Sequence, residues 1–248
     1  VRPRAAELES VDRRLRELAE AVGAEEIPAP ALIARATLEQ AGYPEAFPHL
    51  LFAVATVADP AAEEGLLEPG NLASPGWCLS PAACYHVYPQ LAGESVHRPR
   101  IFTVRGRCFR NEAGEVPGVR LREFEMREVV VLGPGEAEVE RLLAGLVRRL
   151  TDLAAGAGIA GDWEPAEDPF FLPRSAAKAL MQRLLETKRE LRVGAGERYA
   201  LASVNCHGTH LCERFGITAA GGSAAASGCL AIGLERWVTA AREAEERR

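Results

Sequence analysis

Residues 100–133 read RIFTVRGRCFRNEAGEVPGVRLREFEMREVVVLG. Both ends of this stretch are rich in β-branched and aromatic residues, and its middle, AGEVPG at 113–118, is rich in turn formers. That pattern predicts an antiparallel hairpin closed by a long loop. Strand side chains alternate between faces, so Cys108, Arg110 and Glu112 are expected on one side of the first arm, and Phe124, Met126 and Glu128 on one side of the second. A guanidinium, a carboxylate and a ring on one face suit a purine nucleotide: the first for phosphate, the second for an amine or a metal, the third for the base. A cross-strand ladder of Arg and Glu on a solvated face fits the same pattern.

Outward from the hairpin, apolar residues recur at helical spacing from Glu136 to about Ala155 and from Ser175 to about Leu191. Tyr199 to Asn205 reads as a strand, Ala219 to Gly228 as a loop, and Ala231 to Arg248 as a closing helix. Toward the N-terminus, Arg4 to about Val22 is an amphipathic helix, and Glu26 to Pro99 is broken by Pro and Gly into short helices and strands. Strands and helices mix without a regular alternation. The fold class expected is therefore α+β, an antiparallel sheet flanked by helices, rather than a doubly wound parallel sheet. One domain over 1–248 is the reading, with residues 1–25 packed on or beside the core.

The 29 Lys and Arg against 35 Asp and Glu give a formal charge of −6, so the surface as a whole does not favour nucleic acid. No apolar run reaches the ~20 residues that cross a bilayer, and the charged N-terminus does not read as a secretory signal. A cytoplasmic chain is expected, with thiols rather than disulfides at Cys78, Cys84, Cys108, Cys206, Cys212 and Cys229, which form no CxxC pair. Neither GxxxxGK(S/T) nor a strand-linked GxGxxG occurs, so arginines would have to hold any nucleotide phosphate. One candidate is Arg236, in GCLAIGLERW at 228–237, where the pattern predicts the start of a helix. A second cluster, Cys206, His207, His210 and Cys212, offers four zinc-ligand types within seven positions. Its spacing matches no usual structural zinc site, and in a strand Cys206 and His207 would face opposite ways. Cys78, Cys108, His49, His86 and His97 are read as packing or incidental residues.

FRNE followed by FEMRE in a hairpin, with GLER opening a later helix, resembles motifs two and three of class II aminoacyl-tRNA synthetases of the seryl branch. With PAACYHVYPQLAG at 81–93, DPFF at 168–171, MQRLLETKREL at 181–191, SVNCHGTH at 203–210 and ASGCLAIGLERW at 226–237, the chain resembles the amino acid:[carrier protein] ligases more specifically. These are truncated relatives of the metal-dependent seryl-tRNA synthetases. The matches run from Leu79 to Val238, roughly two thirds of the chain.

The resemblance implies a class II catalytic core without a tRNA-binding arm. It implies an enzyme that makes an aminoacyl adenylate from ATP and Mg2+, then transfers the aminoacyl group to the phosphopantetheine thiol of a carrier protein. By the same resemblance Cys84, Glu128 and Cys229 ligate a catalytic Zn2+ whose open position takes the amine of a small amino acid, glycine or alanine. Arg110 and Arg236 hold phosphates, Glu112 accepts from the adenine amine, Phe124 stacks on the base, and Asn205 and His207 contact substrate. Glu123 stands where the synthetases carry glutamine, Cys206 replaces an aromatic residue and Thr209 an acidic one. The acidic residue expected near Tyr199 and Ala200 is missing, with Glu197 as its substitute. A homodimer is implied. For an acidic carrier protein, the arginines from Arg4 to Arg16, or Arg148 and Arg149, are docking candidates. A tRNA or biosynthetic amine as acceptor, and a non-catalytic paralogue, are the alternatives.

Overall fold

The computed structural model describes residues 2–60, 64–168, 187–194 and 198–247. Its centre is one seven-stranded sheet. The strands are β1 (Glu25–Ala29), β2 (Arg100–Phe109), β3 (Glu123–Gly133), β4 (Gly161–Pro165), β5 (Lys188–Val193), β6 (Tyr199–Gly208) and β7 (Ala226–Gly233), in the spatial order β1-β2-β3-β7-β6-β5-β4. The β2–β3 hairpin forms as its sequence predicts, in register from Arg100 opposite Leu132 to Phe109 opposite Glu123. Every neighbouring pair is antiparallel except β1 with β2, which run parallel.

The run Val129–Leu132 is buried on both faces, which is why it reads as continuous apolar sequence rather than alternation. On one face lie α1 (Ala5–Glu20), α4 (Glu136–Gly156) and α6 (Leu234–Glu246); between them in the chain come α2 (Arg35–Ala41), α3 (Tyr43–Ala46) and α5 (His210–Arg214). Val139, Leu143, Leu146, Leu150 and Ala154 form the inward stripe of α4 at three- and four-residue spacing and meet Val129, Val131 and Leu230 of the sheet. The opposite face is covered by the turns at 83–91 and by α5, and packs Phe102, Val104, Val130 and Leu132. The functional cavity opens on this second face.

Three sequence expectations are corrected. The helix expected over 175–191 lies outside the described residues up to 186, and its end is strand β5, because backbone pairing with β4 and β6 overrides local periodicity. Ala231 to Gly233 complete β7 by pairing with β3 and β6, so the closing helix starts at Leu234 rather than 231, and the loop expected at 219–228 ends where β7 begins. The third concerns α1, whose Arg and Glu face, read from its amphipathic pattern as flanked by solvent, is not all solvated: Asp12 is buried and receives Arg127 Nε at 2.6 Å and Nη2 at 3.0 Å. Arg127 is 1% exposed and also reaches Glu26 of β1 and Thr103 of β2. Removing Asp12 leaves the buried Arg127 charge to the half-exposed Glu26, a poor replacement for two buried charge-assisted bonds. Asp12→Ala should therefore lower unfolding stability by about 3–5 kcal/mol, measured by urea titration, whereas Arg16→Ala, in an exposed pair with Glu20, should change it by less than about 1 kcal/mol.

Candidate active site

Cys84 sits in the short helical turn Ala83–His86, Glu128 in the middle of β3 and Cys229 on the adjacent β7. The two sulfurs and a carboxylate oxygen, all from buried residues, lie within 4.8 Å of one another. Among the described residues no other trio of Cys, His, Asp or Glu converges in this way. Gly106 makes the approach possible, since a Cβ there would stand 3.1 Å from those of both Ala29 and Ala83. The Ala83 amide donates to Glu128 Oε1 at 2.7 Å, tying the turn to the strand.

Burial pushes the Glu128 carboxyl up to about 7, and the nearby Cys229 sulfur adds to the shift. The Cys84 thiol is pushed well above its ordinary value by its hydrogen bond toward Cys229 and by burial. Cys229 is held well below its ordinary value by that same bond and by His207. Two sulfurs and a carboxylate brought together out of water are costly as anions and complementary to a divalent cation. The set fits zinc: soft thiolates with one carboxylate, close enough to share one ion.

The trio lines a cavity of about 1110 Å³ that also includes Arg110, Glu112, Phe124, Asn205, His207 and Arg236. The structure thus brings together the predicted residues except Glu123, which lies outside the lining and pairs with Arg107 at 3.0 Å on the exposed edge of the hairpin. Arg110 and Glu112 are not on β2 as expected: Arg110 still bonds across to Arg122, but the Asn111 amide turns away to Leu50 and that of Glu112 back to Arg110. Arg110 is anchored by Nε to the Pro81 carbonyl at 2.9 Å, with its guanidinium 5.3 Å from the Phe124 ring centroid. Arg236 donates to the carbonyls of Val119 and Ala200 at 2.6 and 2.8 Å. Burial, and the Arg110 charge across the cavity, depress its basicity. Two cations held against their mutual repulsion form a seat for an anion.

The rival cluster does not assemble. Cys206 packs toward α4, His207 faces Cys229 on the other side of β6, Cys212 is buried in the second core, and His210 is exposed on the cavity rim. Cys78 and Cys108 are buried as expected, at 1% and 0% exposure. Sequence reasoning missed Tyr85, Lys188 and Glu190, which also line the cavity. Lys188 bonds Asp168 at 2.7 Å and stands 3.4 Å from Glu190. The signal of Lys188 and Glu190 was concealed because KREL was read as helix. Glu197 lies outside the described residues.

No family model matches the chain. It is 32% identical over 233 residues to amino acid–[acyl-carrier-protein] ligase 1 of Bradyrhizobium diazoefficiens, covering 88% of this chain and 71% of that protein. The chain belongs to the amino acid–[acyl-carrier-protein] ligase family. Ligase 2 of the same organism is 32% identical over 225 residues, with 85% and 67% covered. The type-2 serine–tRNA ligase of Methanothermobacter thermautotrophicus is also 32% identical, over 68% of this chain and 34% of its own. Among solved structures, M. kandleri SerRS, bound to A. aeolicus tRNASec, superposes with a TM-score of 0.78 over 96% of this chain and 51% of that one, at 24% identity. A Giardia lamblia prolyl-tRNA synthetase carrying prolyl-adenylate gives 0.71 over 97% and 47%, at 17% identity. The fold of this ligase-family chain is accordingly the class II synthetase core that its motifs implied. Among the described residues no helix is long and apolar enough to cross a membrane.

The Glu128 shift has a measurable sign. A carboxyl raised to about 7 in the fold, against 4.5 unfolded, binds its proton more tightly when folded. Stability is then full below about pH 4.5 and falls as pH rises toward 7. The metal-free chain should lose about 3 kcal/mol through this group between pH 4.5 and 7.5, and Glu128→Gln should lack that component in chemical unfolding followed across the range.

Proposed function

We propose that the chain uses ATP to activate the carboxylate of a small amino acid, glycine or alanine, and delivers the aminoacyl group to the phosphopantetheine thiol of a carrier protein. The observation that carries the reading is the convergence of Cys84, Glu128 and Cys229 in one cavity with Arg110 and Arg236. Cys84, Glu128 and Cys229 would hold a zinc ion, which would supply a Lewis-acid seat for a neutral α-amine.

The chain's own residues account for the rest. Arg110 and Arg236 neutralise the phosphates of Mg2+-ATP, each guanidinium preset by its bond to a backbone carbonyl. Glu112 accepts from the adenine amine, and Phe124 offers the base a ring face. Glu190 faces the same cavity and takes the acidic role that the resemblance assigned near the start of β6. A substrate carboxylate oxygen attacks the α-phosphorus, the bond to the β-phosphate bridge breaks, and pyrophosphate leaves with that electron pair. In the second step the carrier thiol passes its proton to water, its sulfur bonds the acyl carbon, the bond from that carbon to the phosphate oxygen breaks, and AMP departs with the electron pair. Both steps rely on placement and charge neutralisation, without a protein nucleophile. A homodimer is part of the same proposal.

The similarity to type-2 serine–tRNA ligases favours one other acceptor, a tRNA. The net charge of −6 speaks against it. Zinc-loaded protein should exchange pyrophosphate with ATP when given glycine or alanine. Arg236→Ala should slow exchange by about 100-fold or more, and Cys84→Ala should abolish it together with bound zinc. Transfer to a phosphopantetheinylated carrier protein, and none to bulk tRNA, is the expected second result. Zinc-replete protein silent with every amino acid would overturn the reading.

A further inference from the structure

The activation chemistry leaves unexplained a set of hydrogen bonds beneath the cavity. Asn205 Nδ2 donates to Cys229 Sγ at 3.6 Å, and His207 Nε2 stands 3.6 Å from the same sulfur. Asn205 and Cys229 are partners in the β6–β7 ladder, so backbone pairing sets their approach. The other imidazole nitrogen, Nδ1, lies 2.9 Å from the Tyr88 hydroxyl. Ser227 Oγ is within 3.2 Å of that hydroxyl and 3.4 Å of Nδ1. Tyr88 is fully buried and stacks on Phe215 at 5.7 Å, so its hydroxyl is held in place by packing.

A metal-bound thiolate keeps lone pairs and still accepts N–H bonds. Such bonds fix the sulfur's rotamer and draw charge from it. An imidazole that donates from Nε2 to sulfur in its neutral form has Nδ1 free to accept, and a hydroxyl is the partner that fits. The Tyr88 hydroxyl is a donor toward Ser227 Oγ at 3.2 Å and stands closer, at 2.9 Å, to Nδ1, so its one proton is offered to both acceptors and lies nearer the ring.

We propose that Asn205, His207 and Tyr88 are positioning residues for Cys229: two N–H groups hold its sulfur, and the Tyr88 hydroxyl sets which imidazole nitrogen carries the proton. This assigns Asn205 and His207 to the ligand rather than to the substrate. It rests on the reading of Cys84, Glu128 and Cys229 as a zinc site.

The test uses the purified full chain. Zinc content and titration of the wild type examine the site itself: if it binds no zinc, the zinc reading fails, and this inference with it, whatever the variants do. With zinc bound, competition against a chromophoric chelator should show His207→Ala and Asn205→Ala weakened by about 10–100-fold, and Tyr88→Phe by less. His207→Gln, which keeps an N–H donor, should recover part of the loss. Adding Tyr88→Phe to His207→Ala should cost nothing further, because the hydroxyl acts through the ring. In cobalt(II)-substituted protein the sulfur-to-metal charge-transfer bands should move to lower energy in the two alanine variants, a change that a merely structural role would not produce. Should His207→Ala fail to fold by circular dichroism, Asn205→Ala and Tyr88→Phe decide alone. Affinities within about twofold of wild type and unmoved cobalt bands would overturn the proposal.

Discussion

The constraint on which the molecule turns is the burial of two sulfurs and a carboxylate at one point. Each comes from a different element: a short turn for Cys84, and two neighbouring strands for Glu128 and Cys229. Desolvated acceptors of one sign do not gather unless the scaffold compels it. Here the compulsion is the continuous ladder from β2 through β3 to β7, with the Ala83 amide pinning the turn onto it. The arginines of the same cavity show the matching constraint in the opposite sign, each tied to backbone carbonyls so that it cannot retreat into solvent.

Much of this was legible in the sequence because it is local. The hairpin announces itself through β-branched residues and a turn-rich link, and the α4 stripe through its spacing. The metal-type trio was reachable only through the family resemblance: no spacing rule connects positions 84, 128 and 229, whose proximity is purely tertiary. What misled was also physical. Lys188 to Leu191 and Ala231 to Gly233 take their conformation from strands distant in sequence, so local periodicity assigned them to helices. Glu123 occupies the motif position of a nucleotide contact, yet its carboxylate satisfies Arg107 across the hairpin. Tyr88 carries no motif signal of its own; its meeting with His207 joins residues 119 positions apart.

The two faces of the sheet divide the labour. Long helices and their leucines supply cohesion on one side, and short turns leave room for a cavity on the other. The buried Asp12–Arg127 pair belongs to the cohesive side and ties the N-terminal helix to the strand that bears Glu128.

That arrangement places Arg127 and Glu128 side by side in the chain but on opposite sides of one strand. A one-residue slip in the register of this strand would exchange their surroundings, sending an acid among the helices and a base into the cavity. Length changes in this protein must therefore spare β3, while the connection from 113 to 117, outside the cavity lining, has latitude to drift among descendants.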